Sequence, residues 1–128
     1  MAQLDIIGDE IVLTLDAVAT VLSFRHEVHV KLSQVSQAQV LDGEATAALV
    51  DEVVFTPSYH IGGALPGVGA AGHIHIFTHQ GNFFLDVRSG EPAVALSLTN
   101  GDYDQVVVRV DDPQAVATQV NQALATRH

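Results

Sequence analysis

The chain has no cysteine and no tryptophan in 128 residues. The missing cysteine excludes a disulfide scaffold, thiolate-held zinc and thiol catalysis together. It also fits a reducing compartment. Basic residues are almost as scarce, with five Lys and Arg against fifteen Asp and Glu and a formal net charge of −10. Phosphate backbones and anionic lipid surfaces attract clustered positive charge. Here Arg25, Lys31, Arg88, Arg109 and Arg127 are scattered, which argues against nucleic acid and leaves the acidity as a solubility device. No apolar run approaches the roughly 18 residues of a membrane span. Asp5, Asp9 and Glu10 stand where a secretory leader carries basic residues and then an apolar core. The expected location is cytoplasmic.

What is present reads as a single domain over residues 1–128, long enough to bury roughly two thirds of the surface of its unfolded chain. Glu10 to Leu15 is an apolar strand candidate. His26 to Leu32 alternates, with Val28, Val30 and Leu32 on one side and His29 and Lys31 on the other. Ser36 to Leu41 is a weaker strand. Ala45 to Phe55 is ambiguous, since its alanines favour a helix and Val53-Val54-Phe55 a strand. Thr56 to Gly72 holds Pro57, Pro66 and glycines 62, 63, 67, 69 and 72, and is expected to be a loop.

The second half is more regular. His73 to His79 and Phe83 to Arg88 both alternate, around a Gln80-Gly81 turn signal. A two-residue turn pairing His79 with Asn82 would set Phe77 opposite Phe84 and His75 opposite Asp86. Val94, Leu96 and Leu98 mark another strand. Asn100-Gly101 signals a turn, and Val106, Val108 and Val110 mark a further strand. Asp112 can cap a final helix with Pro113 in its first turn, and Val116, Val120, Ala123 and Leu124 form one apolar stripe.

Three segments carry a family resemblance: Glu10-Ile-Val-Leu-Thr-Leu, Gly62-Gly-Ala-Leu-Pro-Gly67, and Pro92-Ala-Val-Ala-Leu through Val107-Val-Arg-Val-Asp-Asp-Pro-Gln-Ala-Val116. With these the chain resembles small bacterial pleckstrin-homology-like (PH-like) domain proteins. The resemblance implies a mainly β fold with one C-terminal helix. Its form would be a PH-like barrel or bent antiparallel β-sandwich of about seven strands, capped by that helix. The fold serves lipid, peptide and protein binding alike. Lipid-binding members put several basic residues around the first hairpin, whereas Leu13 to Lys31 offers only Arg25 and Lys31. Phosphoinositide or membrane binding is therefore not expected.

Two motifs invite chemistry. Gly67-Val-Gly-Ala-Ala-Gly72 spells a dinucleotide fingerprint, but a β-alternating segment follows it where a helix should open. His73, His75 and His79 share a strand face, and a spaced His pair on a strand can hold a metal. Gly67 followed by His73-x-His75 resembles the start of a cupin metal motif, although no later strand supplies another histidine. The serines lack a nucleophile-elbow context, and Asp111-Asp112 reads better as a helix cap. The expected function is a non-catalytic interaction or assembly module without cofactor, binding a protein partner or a second copy. Phe77, Phe84, His75 and Asp86 are the candidate contact residues, on a face taken to lie outside the core. The alternative is a cupin-like metal-binding barrel, possibly an enzyme, using His73, His75 and His79.

Overall fold

In a computed structural model of the chain, residues 2–15, 27–56, 58–76, 81–99 and 103–127 are described, the backbone alone for 58–61 and 127. Strands β1 (Gln3–Ile7), β2 (Glu10–Thr14) and β3 (Glu27–Lys31) form a three-stranded antiparallel sheet. Its register stacks Leu4, Leu13 and Val28 in one row and Ile6, Ile11 and Val30 in the next. The alternation of period two thus becomes one apolar face. A 3-10 turn (Leu32–Gln34) leads into β4 (Val35–Leu41).

Helix α1 (Gly43–Phe55) resolves the ambiguous segment. Asp42 caps it, accepting the Ala45 N–H at 2.8 Å. Thr46, Val50 and Val53 lie buried on one side at helical spacing. The Thr46 hydroxyl donates to the Glu91 carbonyl at 2.9 Å, fixing the start of the helix beside Glu91. Thr56 is extended, as a residue before proline tends to be, and the helix stops there.

Strands β5 (Ser58–Leu65), β6 (Gly69–Ile76), β7 (Gly81–Arg88), β8 (Ala93–Leu98) and β9 (Gln105–Val108) follow, then helix α2 (Pro113–Arg127). With β4 the five make a six-stranded sheet in the order β4-β8-β9-β7-β6-β5. Every neighbouring pair is antiparallel except β7 with β9. Asp112 caps α2 by accepting the Ala115 N–H at 3.1 Å, and Val120 and Leu124 are buried as their spacing predicts.

Both faces of the large sheet are covered. On one, Phe84, Leu96, Val106 and Val108 pack against the three-stranded sheet and α2. On the other, Ile74, Ile76, Leu85 and Val107 pack against Val50 and Val53 of α1. The mainly β composition and the C-terminal helix agree with the expectation. The rest is corrected: the nine described strands lie in two sheets that do not close into a barrel, and α1 adds a second helix. The expected loop from Thr56 to Gly72 is mostly the β5–β6 hairpin. The fingerprint glycines therefore fall in a turn and a strand, away from any helix N-terminus. No described helix is long and apolar enough to cross a membrane.

Candidate interaction surface

The β5–β6 hairpin is built from residues with little or no side chain. Leu65-Pro66-Gly67-Val68 forms its tip, where Val68 N–H donates to the Leu65 carbonyl at 3.1 Å. Proline presets the second position of such a turn, and Gly67 takes the left-handed φ of 72° at the third. Lower in the hairpin Gly62 faces Gly72, both with positive φ. A methyl group on Gly62 would fall on the Ala71 carbonyl, so only glycine lets the two strands approach there.

The tip presents apolar surface to solvent, with Leu65 62% and Val68 51% exposed. The Ser89 N–H donates to the Val68 carbonyl at 2.8 Å and ties the tip to the end of β7. Behind it, Gly63, Gly69 and Ala71 leave a hollow of about 350 Å³ beside Leu65, Val68 and Asp86. The whole stretch between Glu52 and Asp86 contains no Asp, Glu, Lys or Arg. In a chain with fifteen carboxylates, strands β5 and β6 carry none.

The two edges of the large sheet differ. At β4 the side chain of Asn121 closes the edge. Its Nδ2 donates to the Ala38 carbonyl at 2.8 Å, and its Oδ1 accepts the Ala38 N–H at 3.0 Å. One amide on α2 thereby pairs with Ala38 as a residue of a neighbouring strand would. At the other end no described strand pairs with the outer side of β5. Edge strands are usually guarded by charge, proline or a covering segment, and Ser58–Leu65 carries no charged Lys, Arg, Asp or Glu.

The expected contact residues are placed differently from their sequence reading. His73, His75, Phe84 and Asp86 do share a face, but the register is shifted. The ladder sets Ile76 opposite Gly81, so His73 faces Phe84, His75 faces Asn82 and Ala71 faces Asp86. The shift is even, which keeps each residue on its assigned side. That side is interior at this point: Phe84 is 1% and Asp86 8% exposed. Tyr103 fills the place given to a phenylalanine pair, with its ring 5.7 Å edge-on from Phe84 and 5.2 Å from His73. Phe77 and His79 lie outside the described residues.

For the metal alternative, His75 Nδ1 is 2.8 Å from Asn82 Oδ1, as a ring N–H donating to the amide carbonyl. Among the described residues no group of three or more His, Asp or Glu is arranged to hold a metal ion. The most organised polar cluster is elsewhere, on the outer face of the small sheet. His29 lies 2.9 Å from Glu10 through Nδ1 and 2.9 Å from Glu27 through Nε2. Glu10 first, then Glu27, raises its pKa above 6.5 by accepting these hydrogen bonds.

Sequence reasoning missed the hairpin surface, although its signal is present as the long interval without charge. Comparison with protein-family models, with curated proteins and with solved structures finds no match to this chain.

Proposed function

We propose that this chain is a non-catalytic protein–protein interaction module that docks its partner on the β5–β6 hairpin. The observation that carries this reading is the contrast between edges: β4 is sealed by Asn121, while β5 is uncharged and flanked by exposed Leu65 and Val68. A strand edge with no described neighbour offers a row of backbone donors and acceptors, and the apolar tip offers area to bury beside them. The resemblance to PH-like domain proteins enters the proposal through one shared device, a C-terminal helix laid over antiparallel strands. The scarcity of basic residues favours a protein over a lipid headgroup as the partner. A bacterial cytoplasm is the setting this reading implies.

The test is photo-crosslinking in extract of the source cells, with the reactive residue placed at position 65 or, as a control, at the equally exposed Ile7. A discrete adduct at 65 and none at 7 is the expected result. Equal labelling at both positions, or none at 65, overturns the reading.

A further inference from the structure

We infer that the partner docked on β5 is a second copy of this chain, paired antiparallel through β5 into one continuous sheet. The inference rests on the proposed hairpin interface and adds the identity of its occupant.

Three features converge on it. First, two copies each carrying −10 repel each other least where neither presents carboxylates. β5 is the outermost strand of the stretch between Glu52 and Asp86, which has none. Second, an antiparallel strand edge is self-complementary, because a two-fold axis normal to the sheet matches each donor with an acceptor of its own kind. A two-fold normal to an antiparallel ladder passes between a residue and its own copy, because opposed residues share a face. Set at Gly62, one of the two residues flanking the midpoint of Ser58–Leu65, it leaves Gly62 facing Gly62 and Gly63 facing Ile61, where side-chain bulk would otherwise meet across it. Third, the opposite edge is already occupied by Asn121. Pairing at β5 consumes the other edge of the large sheet, so that sheet does not extend beyond two copies.

In this arrangement both copies of α1 lie on one side of the joined sheet, and both small sheets lie on the other. Leu65 of each copy comes beside the start of β5 in its partner, so part of the exposed apolar tip is withdrawn from water.

The experiment is light scattering of the purified full chain across a dilution series, beside a Gly63→Glu, Leu65→Glu double variant. Gly63 is not among the positive-φ glycines and Leu65 is exposed. The formal charge of each copy becomes −12 (−10 − 2), with the added charge at the pairing edge. Wild type is expected at twice the 13.6 kDa chain mass, and the variant at the single mass with an unchanged circular dichroism spectrum. Hydrogen exchange gives a readout independent of the variant: amides of Gly62 to Leu65 gain protection as wild-type concentration rises. A wild type monomeric throughout overturns the inference, and so does a dimer that leaves these amides unprotected. If wild type is monomeric while position 65 still crosslinks to a different protein, the inference fails and the interaction module stands.

Discussion

His29 sits between two carboxylates on an exposed strand face, and its two ring nitrogens can both donate only when the imidazole is charged. The folded pKa is raised above the unfolded value of about 6.5. The stability this gives is fully present below pH 6.5 and is lost as pH rises through the folded midpoint. Urea midpoints of wild type and His29→Gln should thus differ more at pH 5.5 than at pH 9. A gap independent of pH would show that the ion pairs contribute nothing. The NMR titration of His29 should place its midpoint above 6.5. At Gly62 the prediction is steric. Gly62→Ala adds a methyl group at positive φ on top of the Ala71 carbonyl, and a strained backbone of this kind costs of order 1–3 kcal/mol. Chemical denaturation measures it, and an unchanged midpoint would mean that β5 and β6 separate there at no cost.

Among the elements, α2 does two things from two faces of one helix. Its apolar stripe packs Val120 and Leu124 into the core, and Leu124→Ala should destabilise by about 2–5 kcal/mol in thermal or urea unfolding. Its neighbouring Asn121 seals β4. Asn121→Ala should cost about 1–3 kcal/mol by leaving the Ala38 backbone groups unsatisfied, and it should also open a second edge. Species larger than the wild-type assembly in light scattering are therefore expected, and their absence would show the seal to be redundant. The stripe of α2 was legible because large apolar residues recur at helical spacing, with Asp112 and Pro113 marking the start. Strands β7 and β8 were legible by alternation. The β5–β6 hairpin was not, because Gly62, Gly63, Ala64, Ala70, Ala71 and Gly72 carry no hydropathy rhythm. Their pairing is a property of the backbone, which composition does not report. The register of β6 on β7 was misread because Gln80-Gly81 suggested a two-residue turn, whereas Gly81 itself pairs with Ile76. That Phe84 is interior was also beyond periodicity, which assigns sides of a strand but not which sides are covered.

At the scale of the molecule, β7 and β8 are consecutive in sequence but do not touch as neighbours; β9 lies between them, parallel to one and antiparallel to the other. Synthesis delivers the N-terminal strands first, so β7 and β8 must wait, each with an open inner edge, for a strand made later. Until Gln105–Val108 arrives, the large sheet exists only as two fragments, β4-β8 and β7-β6-β5, with no hydrogen-bonded ladder joining them. The longest-range ladder of that sheet is β4 on β8, from Leu41 with Ala93 to Val35 with Leu98, and pairing of that kind should govern the folding rate. A chain ended at Asp104 should lose cooperative unfolding, and a peptide spanning Gln105 to Arg127 added in trans should restore it. The β9 wedge thus makes Gln105–Val108 a keystone: small lesions there should strand an aggregation-prone intermediate, with the large sheet left in two separate pieces.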